Sequence, residues 1–232
     1  AAVAATSRAL AEDACELIEV EYQVLPPIGA APAALAAGAP VLWEEHGTNV
    51  IQSRTYDWGD VDRVFAEADH VVTNSFRWNR CGANPTETFG CVCQWDLTDH
   101  SLLIHGSYQV PGFWALARSI SLNLPANKVK VVGHPQGGAF GGKGGARATD
   151  IAALLSRKSG GLPVKYTEDR MEYLLAGFSQ SWDRRYEAAL ALQADGTMTG
   201  FKVKLLDDQG ATTETYGTIS VAKPLAAFTG NY

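Results

Sequence analysis

Between residues 135 and 145 the chain reads Pro-Gln-Gly-Gly-Ala-Phe-Gly-Gly-Lys-Gly-Gly. A run so rich in glycine costs backbone entropy on folding and contributes almost no packing. It persists where the backbone must take positive φ, or where a ligand lies against it. It follows Val129 to Val132, which reads as a short buried strand, and precedes Ala146 to Lys158, an amphipathic helix with Ile151, Leu154 and Leu155 expected toward the core. A loop entering a helix N-terminus offers free N–H donors and favours anionic groups. Gly137 and Gly142-Lys143 fit the spacing of a Walker A loop, yet position 144 is glycine, so the hydroxyl that would hold magnesium is missing. Gly138 to Gly144 fits G-x-G-x-x-G by spacing alone. The acidic residue expected about 20 residues further on is absent, because that region reads Lys158-Ser159-Gly160-Gly161. A plain flexible loop is the bland alternative to all of these.

The rest of the chain reads as a mixed α+β layout without repeats. Ser7 is placed to cap a short helix, and Ile18 to Leu25 alternates apolar and polar residues as a half-buried strand does, ending at Pro26-Pro27. Residues 28 to about 56 are rich in Ala, Gly and Pro and read as a linker. Beyond it, Asp60 to Ala68, Pro111 to Leu124 and Asp169 to Leu175 are expected to be helical; His70 to Trp78, Cys91 to Trp95, Leu102 to Ser107 and Val164 to Tyr166 are expected to be strands. Arg185 to Leu192 and Met198 to Leu206 read as a hairpin turned at Ala194-Asp195-Gly196. The formal net charge of -6 argues against nucleic acid as a partner, and no apolar run reaches the roughly 18 residues of a membrane span. Cys15, Cys81, Cys91 and Cys93 form no C-x-x-C pair and the five histidines show no ligand spacing, so no metal ligand is assigned. Cys91 and Cys93 fall on one face of a strand and read as small core residues of a cytoplasmic protein. The first residues lack an initiator Met and a signal-peptide pattern, and the last lack a helix cap; both ends are expected to be cuts within a longer polypeptide.

Several motifs in order resemble the molybdopterin-binding large subunit of the molybdenum hydroxylase (xanthine oxidase) family, nearest its aerobic carbon monoxide dehydrogenase-like branch. Gly137-Gly138-Ala139-Phe140-Gly141-Gly142-Lys143 is similar to the family's G-G-x-F-G-x-K loop. Pro163-Val164-Lys165-Tyr166-Thr167-Glu168-Asp169-Arg170 resembles P-V-K-W-x-E-D-R, and Thr86 to Val92 resembles L-E-T-x-G-C-V. Gly106-Ser107-Tyr108-Gln109 resembles the strand end that presents a glutamine to an oxygen on the metal. The opening helix and Ile18 to Pro27 resemble the close of the family's first domain.

The resemblance implies an α+β chain: residues 1–27 the end of an α/β hammerhead-type domain, 28–57 a linker, and 58–232 the N-terminal portion of the molybdopterin-binding domain. It implies cofactor contacts from Gln109, Gly137, Gly138, Ala139, Phe140, Gly141 and Gly142, with Gln109 donating through its side-chain amide. Lys143 would either pair with the cofactor or stand on the surface, and Glu168 and Asp169 would cap a helix or bind Arg internally. The implied activity is hydroxylation or oxidation of an aldehyde, an N-heterocycle or carbon monoxide with water as oxygen source. The cofactor would be molybdopterin in its cytosine dinucleotide form, with iron–sulfur clusters and FAD on other segments or on iron–sulfur and flavin subunits. Gly144 stands where purine-oxidising members carry a glutamate, and the family's C-terminal catalytic glutamate has no counterpart here, so no catalytic residue is assigned. A catalytically silent structural or interaction fragment of the same fold, or a nucleotide-binding enzyme, are the competing readings.

Overall fold

The computed structural model describes residues 1–144, 146–175 and 182–211. Gly145 of the glycine run therefore lies outside the described residues. In chain order the elements are α1 (Arg8–Glu16), α2 (Ala31–Ala34), α3 (Val61–Ala66), β1 (His70–Trp78), β2 (Gly90–Asp96), β3 (Ser101–Gly106) and α4 (Pro111–Ser121), followed by β4 (Val129–Gly133), α5 (Ala146–Lys158), β5 (Val164–Thr167), α6 (Arg170–Leu175), β6 (Asp183–Leu192) and β7 (Met198–Asp208). Two compact units result, one from residues 1–23 and 81–181, the other from residues 24–80 and 182–232.

The first unit is built on a sheet of order β4-β3-β2-β5, in which β3 and β4 run parallel and the other neighbours antiparallel. Alternation along β2 and β3 turns Cys91, Cys93, Trp95, Leu102 and Ile104 to one buried face, where they join Phe89, Tyr108, Trp114 and Tyr173. Helix α5 covers β2 and β5, and α4 lies against β4. A salt bridge from Arg118 to Asp150, 3.1 Å long, links α4 to α5.

Helix α5 has the boundaries expected of it and the opposite face. Ile151 and Leu154 are about half exposed, while Thr149, Ala152, Ala153 and Ser156 are buried. The reason lies in the short residues. They let the helix backbone approach β2 closely enough for Cys93 Sγ to donate to the Thr149 carbonyl at 3.6 Å, and for the Trp95 N–H to donate to Ser156 Oγ at 2.9 Å. Ser156 Oγ in turn donates to the Leu162 carbonyl at 2.7 Å, pinning the chain that leads into β5. Hydrogen bonding with Cys91, together with burial, pushes the Cys93 thiol far above the ordinary thiol range, so it is an inert core group.

A second expectation fails at residues 18–25, which form no strand, and Val20, Tyr22 and Val24 are exposed. Alternation specifies a face to bury, but a ladder also needs a partner, and no described strand pairs with this segment. The preceding helix does form as read, with Ser7 Oγ accepting from the Leu10 N–H at 3.3 Å.

In the second unit β6 sits between β1 and β7, antiparallel to both. The β6–β7 hairpin turns where expected: the Gln193 N–H donates to the Thr197 carbonyl and the Gly196 N–H to the Gln193 carbonyl, both at 2.9 Å. Helix α3 packs on β7, capped by Asp60, whose carboxylate accepts from the Arg63 N–H. No described helix is long and apolar enough to cross a membrane.

Candidate functional site

The glycine-rich loop follows β4 in the first unit, beside the end of β3. Gly138 (φ +89), Phe140 (φ +51) and Gly141 (φ +85) all take left-handed backbone conformations. For Phe140 this is strained, and its ring is 77% exposed, so an aromatic is held outward against its backbone preference. A turn bond inside this stretch runs from the Gly142 N–H to the Ala139 carbonyl at 2.8 Å. Among the described residues, the successive N–H groups of Gly138, Ala139 and Phe140 donate to no protein atom, leaving a nest of donors of the kind that receives electron-rich groups. The buried side-chain oxygen of Gln136 likewise has no hydrogen-bond partner.

Gln109 stands at the end of β3, next to this nest. Its backbone N–H donates to the Lys143 carbonyl at 3.1 Å, and its side-chain oxygen accepts from the Gly141 N–H at 2.9 Å. With the oxygen fixed, the Nε2 amide group of Gln109 is the side chain's end without a partner among the described residues. The next residue, Val110, has φ +58 and ψ +60 and precedes Pro111. A β-branched residue in the left-handed region before proline is strained on two counts. The paired bonds that grip Gln109 hold it there, and nothing in the sequence signals this.

The loop is tied down by Glu87. Its Oε2 accepts from the Gly137 N–H at 2.6 Å and from Lys143 Nζ at 2.5 Å, and its Oε1 accepts from Ser107 Oγ at 3.3 Å. The Lys143 side chain is wholly buried, while that of Glu87 is 41% exposed. Lys143 is therefore not on the surface; its ammonium is paired with a partly exposed carboxylate. The Lys143 hydrogen bond, with help from the Gly137 N–H and the Ser107 hydroxyl, holds the Glu87 carboxyl below the usual range against the opposing effect of burial.

This depression fixes the sign of a pH effect. A carboxyl whose folded pKa is lowered contributes stability that is present above its unfolded value and lost as the pH falls through the folded one. The difference in unfolding midpoint between the wild type and Glu87→Gln is thus expected to be constant above about pH 5 and to shrink below about pH 4. A difference that grows on acidification would contradict the ion pair.

The remaining motif residues act as a frame. Asp169 and Glu172 form a reciprocal capping box at α6, with the Glu172 N–H donating to Asp169 Oδ1 and the Asp169 N–H to Glu172 Oε2, each at 2.7 Å. Arg170 reaches across to Asn84 Oδ1 at 2.6 Å and to the carbonyls of Pro85 and Thr86 at 2.8 and 2.7 Å. Thr88 Oγ1 donates to the Glu168 carbonyl at 2.8 Å. Burial raises the Glu168 carboxyl above its ordinary value. Segments far apart in sequence thus converge on the loop: Arg170 holds residues 84–86, and the adjacent Glu87 holds residues 137 and 143. Sequence reading also missed His105 and His134, on neighbouring strand ends, whose Nδ1 and Nε2 lie 2.9 Å apart. Among the described residues no group of three or more His, Cys, Asp or Glu is placed to hold a metal ion.

Comparison with known proteins places the chain in a family. The profile of the molybdopterin cofactor-binding domain matches residues 31–232. The chain is 34% identical over 209 residues to the nicotine 6-hydroxylase large subunit of Paenarthrobacter nicotinovorans, covering 90% of this chain and 25% of that one. It is 33% identical over 222 residues to the carbon monoxide dehydrogenase large chain of Afipia carboxidovorans, covering 90% and 27%. Among solved structures, quinoline 2-oxidoreductase from Pseudomonas putida 86 superposes with a TM-score of 0.77 at 32% identity, covering 89% of this chain and 26% of that one. The chain spans about a quarter of the length of these relatives. With a profile match over most of its length, it belongs to the molybdopterin cofactor-binding domain family of the molybdenum hydroxylases.

Proposed function

We propose that this chain forms part of the molybdopterin-binding wall of an oxidoreductase that hydroxylates or oxidises a small substrate with water as oxygen source. The observation that carries this reading is the set of N–H groups at Gly138, Ala139 and Phe140, without acceptors among the described residues, beside the side-chain amide Nε2 of Gln109. These groups fit an electron-rich, polar cofactor. The Gly138, Ala139 and Phe140 amides and Gln109 Nε2 would donate to it, and the orphaned Gln136 oxygen would accept from one of its N–H groups. Gly137, Gly141 and Gly142 would let the backbone come close. When bound, the molybdenum pterin supplies two-electron redox chemistry. The chain's own residues supply orientation and fixed dipoles around it.

The finer assignments rest on the family. The pterin is proposed in its cytosine dinucleotide form, with iron–sulfur clusters and FAD on other segments or on separate subunits, and the catalytic base on the remainder of the large subunit. Residues 1–27 are proposed as the end of a hammerhead-type domain, 28–57 as a linker and 58–232 as the start of the cofactor domain. For substrate, the names of the relatives include nicotine, quinoline and carbon monoxide, and the candidates are an N-heterocycle, carbon monoxide or an aldehyde.

The test is molybdenum and pterin content per chain, by mass spectrometry, on natively purified full-length protein with its partners retained. Near-stoichiometric metal supports the reading, and absence of metal from a cofactor-competent assembly sinks it. Gln109→Leu, which removes both the anchor oxygen and the free amine, is expected to lower turnover with an artificial electron acceptor roughly 10- to 100-fold. Wild-type turnover in that variant would remove Gln109 from the site.

A further inference from the structure

The loop that would meet the cofactor has almost no side chains with which to hold itself. Its order must come from outside, because a glycine-rich segment loses more conformational freedom on folding than any other. We propose that Glu87 is the positioning residue that sets this loop for its cofactor, stapling entry and exit together with one carboxylate. The proposal rests on the cofactor reading above and goes beyond it, since it assigns a role to a residue that need not touch the cofactor.

The geometry is specific. A single oxygen, Glu87 Oε2, takes the Gly137 N–H where the loop begins and the Lys143 ammonium where it ends. A Cβ on Gly137 would lie 2.9 Å from Glu87 Cβ, so the two chain segments are already as close as they can come. Lys143 passes the constraint on: its carbonyl receives the Gln109 N–H, and Gln109 Oε1 receives the Gly141 N–H. Glu87, Lys143, Gln109 and Gly141 form one chain of hydrogen bonds, which the loop backbone returns to Glu87 through the Gly137 N–H, and each of these bonds restrains the donor nest. Glu87 itself is fixed, because Arg170 clamps the carbonyls of the two residues before it. A buried lysine and a carboxylate placed only for stability would have no need to share the loop's terminal amide.

Removing the charge also strands a buried ammonium, so a simple loss of stability must be separated from a positioning role. The full-length protein with its partners is prepared as wild type, as Glu87→Gln, and as the double variant Glu87→Gln with Lys143→Met, which removes the stranded charge. Three quantities are read: molybdenum and pterin per chain, unfolding midpoint, and hydrogen exchange of amides 136–144. Glu87→Gln is expected to lose roughly tenfold in cofactor retention during dialysis, with faster loop exchange. The double variant is expected to regain stability while remaining cofactor-poor and fast in the loop. Recovery of cofactor together with stability in the double variant would overturn the proposal, as would wild-type retention in Glu87→Gln. If the wild type itself carries no molybdenum, the cofactor reading falls, and loop exchange alone decides whether the staple exists: exchange unchanged in Glu87→Gln overturns it, and accelerated exchange upholds it.

Discussion

Enlarging Ala153 to leucine is expected to destabilise the protein by about 2–3 kcal/mol, whereas trimming its neighbour Leu154 to alanine costs less than about 1 kcal/mol. Size and hydrophobicity alone predict the reverse order. Ala153 has no exposure and belongs to the buried cluster that includes Cys91, Cys93 and Trp95 of β2, while Leu154 is 46% exposed. Three extra carbons at position 153 have nowhere to go unless α5 lifts from the sheet. Lifting it would stretch the Cys93–Thr149 bond and the Trp95–Ser156 bond, which hold helix to strand at points about two turns apart. The buried Trp95 backbone N–H would then lose its bond to Ser156 Oγ, a cost comparable to the overpacking itself. Denaturant unfolding of both variants in the full-length protein settles the order. A larger loss at Leu154 would mean that α5 turns its large residues inward after all.

The same helix shows where the sequence is legible. Its limits, Ala146 to Lys158, follow from the period and from the glycines on either side. Its orientation does not, because Ile151, Leu154 and Leu155 form an apolar stripe that outweighs a stripe of Ala, Ser and Thr in any transfer-energy reading. Only a neighbouring strand close enough to accept hydrogen bonds makes the small stripe the better face. Strands β1, β2, β3 and β5 were readable because alternation or an unbroken apolar run coincided with a real partner. Residues 18–25 carry the same alternation without one. At the site, glycine spacing and family resemblance point to the loop and to Gln109. They offer Lys143 only a cofactor partner or a place on the surface, since a lysine after a loop is usually solvated; its burial depends on a carboxylate 56 residues earlier in the chain. The strain at Val110 is equally invisible, because it arises from bonds that Gln109 makes to residues downstream.

The largest effect on the proposed cofactor is expected from the loop glycines, and two of them separate folding from binding. At Gly138, with φ +89, a Cβ would stand 2.8 Å from the Phe140 ring. Gly138→Ala therefore adds left-handed strain of about 1–2 kcal/mol and pushes the ring from its place, disturbing the donor nest directly. At Gly141, with φ +85, a Cβ would meet nothing within 4 Å among the described residues. Gly141→Ala then carries the same backbone strain but no clash within the chain, so its unfolding midpoint should fall only slightly. Any further loss must come from something outside the chain that already occupies the space beside Gly141. Both variants are expected to lose cofactor at least about tenfold when molybdenum and pterin are measured in the native assembly. Gly138→Ala loses it because the donors move, and Gly141→Ala because the new methyl meets the cofactor itself. Full cofactor retention in Gly141→Ala, with the stability loss confined to backbone strain, would place the pterin away from this face of the loop and leave Gln109 and the amides of Gly138 to Phe140 to hold it from the other side.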